Sequence, residues 1–432
     1  MLVRLPNPAS RFLLPSLAFI LCAGLSYFSI RVAWAAHKIG LGTAAGFQAA
    51  VRWEPSNAEN WYLLGRYWQY TLDEPDAERA IRYYRSALAL NPHDAGVWMD
   101  LGTAYESEGN WQAAGDAFRE AKRAYPLSAE VSWRYGNFLL RQDQVAEAFS
   151  EIRRAVYADP KRSAEAFSRC WRVDPDVRAI LDNVLPANLD GYLDVIHQLA
   201  ENDEYAAALV VWDRLAAFHP HLTLGQAIPF TEYLVQKRRI EDAQRVWNDA
   251  LRFSGTESPA RPDGSVLWDG GFETGWNNGG FAWRFPRPSG GVRIGFDSKE
   301  KHSGLQSLHI SFDGRHNVAL EGPCVNAGVQ AGVSYRFSAW VRAENLTTNQ
   351  GLRFHLDWAE NSGRHGSVET PDVQGSRPWS EISTEWTAPG DARQVRLCLV
   401  RRPSEKLDSQ IQGTVWVDDV ALVPVSRENR KP

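Results

Sequence analysis

Cysteine is scarce: the chain has four in 432 residues, Cys22, Cys170, Cys324 and Cys398. None stands in a CxxC pair, which argues against a thiolate metal knuckle. An excess of positive charge is missing too. The net charge of -5 leaves no electrostatic footprint for nucleic acid. Catalytic signatures are also absent, with no HExxH, no G-x-S-x-G and no P-loop. The ten histidines are scattered, and His219 and His221 flank Pro220 in what reads as a surface turn. Asp357 and Glu360 sit side by side at a strand end. A glycosidase needs two carboxylates facing each other across a substrate, so the pair does not suit hydrolysis. The chain reads as a non-enzyme of two or three domains.

What is present begins with a run that carries no charge, Phe12 to Ile30. It is long enough to span a bilayer, which needs about 20 apolar residues, whereas a cleaved signal has an apolar core of about 7–15. Arg4 and Arg11 precede it, and Arg31 and Lys38 follow. Ala33-Trp34-Ala35 resembles a cleavage site, but Arg31 just before it and the length of the run favour an uncleaved anchor. Leu21 stands before Cys22, where a bacterial lipobox wants a small residue, so lipidation is not expected. The basic flanks are balanced and do not set orientation.

Next comes an internal period. Trp98, Leu101, Gly102 and Tyr105, then Ala114, Phe118 and Ala121, then Pro126 follow the W-x2-L-G-x2-Y, A-x3-F-x2-A, Pro spacing. Gly102 and Ala114 let two helices approach, the aromatic residues fill the space between them, and Pro126 ends the second helix. The frame carries forward through Gly136, Ala148, Ala155 and Pro160. It carries backward through Trp61, Leu64, Gly65, Ala80, Tyr84, Ala87 and Pro92. Phe47, Ala50 and Pro55 read as the second helix of a half repeat emerging from the apolar segment. Residues 163–188 read as one or two irregular helices, and degenerate repeats resume at Tyr192–Pro220 and at Ala243, Trp247 and Ala250. The pattern is similar to the tetratricopeptide repeat (TPR), an α-solenoid whose first helices line a protein-binding groove. Repeat phase places Tyr62, Arg66, Tyr70, Met99, Thr103, Trp133, Asn137 and Arg141 there. They would clamp an extended peptide through Asn137 and the arginines, or form a solvated or internally packed face.

Residues 253–264 are turn-rich and charged and read as a linker. Beyond them the period becomes two. Tyr335, Phe337, Ala339 and Val341 share one strand face, with Arg336, Ser338, Trp340 and Arg342 opposite. Leu352, Phe354, Leu356 and Trp358 share another, with Arg353, His355 and Asp357 opposite. Short alternating strands between Gly, Pro, Asn and Asp indicate a jelly-roll β-sandwich. Cys324 and Cys398 fall in this domain. They could pair in an oxidising compartment, but the expectation is two free buried thiols.

Three fragments resemble the carbohydrate-binding modules of the family 4/9/22, galactose-binding-like group. They are Gly270-Gly271-Phe272-Glu273 with Trp283, His302-Ser303-Gly304 leading into Ser307-Leu308-His309-Ile310, and Trp416-Val417-Asp418-Asp419-Val420. The resemblance covers about 266–425. It implies a structural calcium held by Glu273 and Asp418 with backbone oxygens near Ser303. If the strands at 335, 352 and 395 share a sheet, Trp340, Arg336, Arg342, Arg353, His355 and Asp357 form a glycan platform. The bland alternative is a solvated face with Trp340 covered.

The expected organisation is thus a tail (1–11), a transmembrane anchor or signal (12–35), a TPR array (43–252), a linker (253–264) and a sandwich (265–426). The expected role is a scaffold in the inner (cytoplasmic) membrane with its bulk on the periplasmic side. The array would bind a protein and the sandwich a glycan, in exopolysaccharide or cell-envelope assembly. The alternative is a pure protein-interaction scaffold whose sandwich no longer binds sugar.

Overall fold

The computed structural model describes residues 8–256, 264–287, 290–358, 366–407 and 409–425, with the side chains of 8–12 and 14 excepted. Most of the expected linker, and Glu360, lie outside the described residues. The chain divides into two compact units, Met1–Gly191 and Tyr192–Pro432. The division falls within the array, so the last helices group with the sandwich.

The first unit opens with helix α1, Pro8–Ile39. Its segment Pro15–Ile39 is long and apolar enough to cross a membrane. The helix continues through Ala33-Trp34-Ala35 and ends packed on α2, Ala44–Trp53. Ala35 is buried, Trp34 meets Trp53 edge-on, and Arg31 donates to the Trp53 carbonyl. The end of the apolar helix therefore supplies the first helix of the half repeat.

Three repeats follow: α3 (Ala58–Tyr70) with α4 (Ala77–Leu90), α5 (Ala95–Ser107) with α6 (Trp111–Ala124), and α7 (Ala129–Arg141) with α8 (Val145–Ala158). Asn57, Asp76, Asp94, Asn110 and Ser128 cap five of these helices through side-chain oxygens. The repeat glycines are where the helices touch. A Cβ on Gly65 would lie 2.6 Å from the Tyr84 ring, and one on Gly136 2.7 Å from Ile152. The Trp61 and Trp98 indoles each donate to the carbonyl of the proline six residues earlier, Pro55 and Pro92, both at 2.8 Å. After a 3-10 turn, α9 (Ser163–Val173) and α10 (Val177–Asn183) complete the unit, and α11 (Leu189–Glu201) spans the division.

The second unit holds α12 (Tyr205–Ala217), the hairpin α13 (Leu224–Gln236) and α14 (Ile240–Phe253), and nine strands. The strands are β1 (Val292–Asp297), β2 (Ser307–Asp313), β3 (Leu320–Gly328), β4 (Ser334–Leu346), β5 (Arg353–Trp358), β6 (Val368–Glu369), β7 (Gly375–Thr387), β8 (Gln394–Arg401) and β9 (Gln412–Pro424). They form two antiparallel sheets, ordered β1-β2-β9-β4-β7 and β3-β8-β5-β6. The alternating apolar sets predicted from sequence fill the space between the sheets. Phe337 of one sheet and Phe354 of the other meet there with ring centroids 4.9 Å apart. The α13–α14 hairpin packs on the sandwich. Trp247 of α14 lies edge-on to Trp268, and Gly279 and Gly280 press against Ile228 and Trp247.

The expectation of free thiols at Cys324 and Cys398 is overturned. They are directly opposed partners on β3 and β8, their Cα atoms 4.1 Å apart, and they form a disulfide. Spacing in sequence hid this, because the pairing depends on strand register.

Candidate functional site

On the array, the first helices α3, α5, α7 and α9 line up, and Asp100 sits where three of them meet. It is 5% exposed and accepts from the Tyr62 hydroxyl and from Arg134 Nη1, both at 2.9 Å. Arg66 Nε lies 3.7 Å away and its guanidinium covers the rings of Tyr62 and Tyr70. Burial first, then the Asp100 charge, raises the Tyr62 and Tyr70 hydroxyls above their usual pKa. Thr103 accepts from Arg134, and Met99 is buried. Trp133 is buried between the guanidinium groups of Arg162 and Arg169. Asn137 donates to the Trp133 carbonyl and accepts from Arg169, and Arg141 pairs with both oxygens of Glu106.

The structure thus places the predicted residues along the first helices, with Met99, Trp133 and Asn137 buried, and ties most of their polar groups to Asp100, Arg134, Arg169 and Glu106. Asp100, Arg134 and Arg169 organise this surface and were missed. Repeat phase marks positions, whereas the partners come from neighbouring repeats 31–38 residues away. Tyr70 and Arg66 keep about half their side-chain surface exposed.

On the sandwich, the expected platform does not exist as one face. β4 and β5 lie in different sheets, so Arg336, Trp340 and Arg342 point away from one outer surface, and Arg353, His355 and Asp357 from the other. The Trp340 ring is covered by His302, stacked at 3.9 Å, and Arg336 is paired with Glu381 and Arg342 with Glu300. The two strand patterns are identical in kind, so sequence could not assign them to sheets.

The other face carries a groove. Its floor is the outer surface of β3, β8 and β5, including the disulfide, and it holds two adjoining cavities of about 550 and 570 Å³ that share Glu321, Asp357 and Arg396. Arg396 pairs with Glu321 at 3.2 Å, and His355 and Arg402 both reach Glu369. Arg353 is held by Asp372 and Glu369 and is mostly buried. The Asp357 carboxylate has no hydrogen-bond partner among the described residues, which suits it to accept from a ligand hydroxyl. Beside β3, Arg284 pairs its backbone with Cys324. The next residue, Phe285, lines the groove and packs on Trp276 at 4.3 Å. Trp276 is 52% exposed. Such a ring suits the apolar face of a sugar, and its setting in a Gly/Asn-rich turn rather than a strand was the signal available in the sequence.

At the predicted calcium position, Asp418 is fully buried. Its Oδ2 accepts from the backbone N–H of His302 and Ser303, and Glu273 accepts from that of Leu305. Burial, opposed by these bonds, pushes the Asp418 carboxyl up to about 6. Both carboxylates border the same small residue, since a Cβ on Gly271 would be 3.7 Å from Asp418 Oδ1 and 3.6 Å from Glu273 Oε1. Ser303 donates its N–H to Asp418 and its hydroxyl to Asp419. Among the described residues no group of three acidic, histidine or cysteine side chains gathers as a metal cage.

Comparison with known proteins agrees with both halves. A tetratricopeptide repeat model matches residues 72–129 and 123–163, and a carbohydrate binding domain model matches residues 264–405. The chain therefore carries tetratricopeptide repeats and a carbohydrate-binding domain. The general transcriptional corepressor ssn6 of Schizosaccharomyces pombe is 25% identical over 145 residues, which is 29% of this chain. The aligned stretch spans only 13% of that relative's length. Among solved structures, the TPR protein YrrB, described with an unusual peptide-binding site, has a TM-score of 0.27 at 17% identity, covering 50% of this chain and 95% of that one. The CBM22-1 and GH10 modules of a Clostridium thermocellum xylanase, complexed with xylohexaose, have a TM-score of 0.24 at 18% identity, covering 33% and 26%.

Proposed function

We propose that the chain is a membrane-anchored, non-catalytic scaffold. Its repeats hold a protein partner and its sandwich holds a glycan in the groove over β3, β8 and β5, in exopolysaccharide or cell-envelope assembly. The observation that carries the glycan role is that groove, with an Asp357 carboxylate unpaired among the described residues, paired arginines on the floor and the exposed Trp276 packed on Phe285 of its lining. Sugars are bound by this combination of hydroxyl-directed polar groups and an aromatic face. The cross-strand disulfide supports an oxidising compartment, hence the bulk of the chain outside the cytoplasm. The burial of Ala35 in the first repeat supports a retained anchor, because cleavage there would remove part of the first helix pair. The protein partner engages the array through the exposed Arg66 and Tyr70, whose neighbours are already paired.

Affinity electrophoresis of the full chain through β-glucan, xylan and galactomannan tests the glycan role. At least one neutral polymer is expected to retard it, and Asp357→Ala or Arg396→Ala to weaken retardation about tenfold or more. Migration unchanged in every polymer would overturn the reading.

The carboxylate pair is proposed to take calcium. Asp418 titrates above its usual 3.8 when folded, so its ionisation costs stability as pH rises through about 6, and the cost is relieved below about 4. At full ionisation this amounts to about 3 kcal/mol. Calcium should offset it, raising the Tm at pH 7 more than at pH 5, with the effect lost in Glu273→Ala. An identical Tm with calcium and with EDTA at pH 7 would rule the ion out.

A further inference from the structure

The groove over β3, β8 and β5 is not built by the sandwich alone. One of its two cavities has a wall made by α13, through Glu232, Val235 and Gln236. This wall stands over the part of the floor where Asn326 of β3 and Asp357 of β5 flank Arg396 of β8.

The wall is fixed in place. Arg284 bridges the two parts, donating to Glu232 Oε1 at 3.1 Å and to the Gly280 carbonyl at 2.8 Å. The backbone of Arg284 is itself bonded to Cys324 on the floor, N–H to carbonyl in both directions. Below the wall, Trp247 of α14 is 2% exposed against Trp268 and Phe281. On the other side, a Cβ on Gly328 of β3 would run into Gln244 of α14. Helix α13 therefore cannot swing away without breaking an ion pair and a packed aromatic cluster.

The charges around this cavity select among glycans. Three carboxylates face it: Glu232, Glu321 and Asp357. Two guanidinium groups answer them, and each is engaged, Arg284 with Glu232 and Arg396 with Glu321. Among the described residues Asp357 is left over. An anionic polymer would bring its carboxylates against a surplus negative charge and would have to break existing ion pairs. A neutral sugar needs neither: its hydroxyls donate to Asp357 and to the Glu232 oxygen opposite the one Arg284 holds, and accept from Gln236 and the outer N–H groups of Arg396.

We infer that the last helical pair of the array is part of the glycan site, and that α13 and the sheet together bind a neutral oligosaccharide through Glu232 and Gln236 on one side and Asp357 and Arg396 on the other. This rests on the glycan reading above and adds to it that the helices read the sugar directly. A sandwich without α13 would lack one wall of the site.

The test uses the full chain in detergent and the neutral polymers already named, with polygalacturonate as the anionic probe. Glu232→Gln keeps an acceptor for Arg284, and Gln236 is exposed at the helix end, so both variants leave the fold intact, checked by an unchanged Tm. Each is expected to weaken binding of the retarding neutral polymer about five- to tenfold, while polygalacturonate is not bound. A bulky Gln236→Trp should weaken binding further by filling the cavity. If Asp357→Ala abolishes binding but Glu232→Gln, Gln236→Ala and Gln236→Trp all bind as wild type does, the glycan reading stands and the role of α13 is overturned. If polygalacturonate binds more tightly than any neutral polymer, the ligand class is overturned. If the wild type binds no polymer, both readings fall.

Discussion

Replacing Asp100 with alanine is expected to lower the unfolding free energy of the helical array by about 3–5 kcal/mol. Its side chain is 7% exposed and is the one acid in a cluster with Tyr62, Arg66 and Arg134. Removing it deletes the attraction and leaves the Arg134 guanidinium, which is 25% exposed, with the Thr103 hydroxyl as acceptor but without its counter-ion, together with a half-buried tyrosine hydroxyl. The cation left without its counter-ion supplies most of the loss, since a largely buried charge without an opposite charge costs more than the pair contributes. Asp100→Asn keeps the shape and one acceptor, so roughly half the loss is expected. Urea unfolding followed by far-ultraviolet circular dichroism measures both variants. A loss below about 1 kcal/mol for the alanine variant would mean that apolar packing alone aligns the first helices. A double variant, Asp100→Leu with Arg134→Met, should recover much of the stability, because an apolar pair of similar volume replaces the ions without desolvation cost.

Trp247→Ala is the second large effect, expected at about 3–5 kcal/mol for the unit that holds the sandwich. The indole is 2% exposed, with Trp268 edge-on at 5.3 Å and Phe281 at 6.2 Å. Gly280 approaches it so closely that a Cβ there would lie 2.5 Å from the ring, so neighbouring backbone cannot collapse far into the hole. A cavity that cannot close adds its own cost to the lost burial. The indole nitrogen is buried without a hydrogen-bond partner among the described residues. Trp247→Phe therefore sacrifices no hydrogen bond and should cost less than half as much. Calorimetric unfolding checks the magnitudes. A Trp247→Ala transition within 1–2 °C of wild type would show that the hairpin does not bear on the sandwich. Because α13 leans on the same cluster, the alanine variant is also expected to weaken glycan binding, linking this joint to function.

Much of the architecture was legible without coordinates. The spacing of Trp98, Gly102, Ala114 and Phe118 announced helix pairs, because each small residue has to face a large one where two helices touch. Gly102 and Phe118 do so, with a Cβ on the glycine 2.9 Å from the ring. The alternation in 335–342 and 352–358 announced strands with one buried face, and the buried residues are the predicted ones. Local periodicity suffices for this, since it depends only on how a helix or strand presents its side chains.

The functional surfaces were legible only in part, and for one reason. Trp340 and Asp357 sit on strands of the same pattern, yet they belong to opposite faces of the sandwich, because sheet membership is decided by pairing between distant segments. Cys324 and Cys398 became a disulfide through register across β3 and β8. Asp418 met the N–H groups of His302 and Ser303 only because the 302–305 turn folds over β9. Asp100 gained meaning only when α3 and α7 brought Tyr62 and Arg134 to it. By itself the sequence determined the apolar first helix, the repeats and a sandwich, all written in periods a few residues long. The tertiary structure alone decided which face carries the groove, what pairs with what, and that α13 closes a wall of it, because those facts arise from contacts between segments that no local period connects.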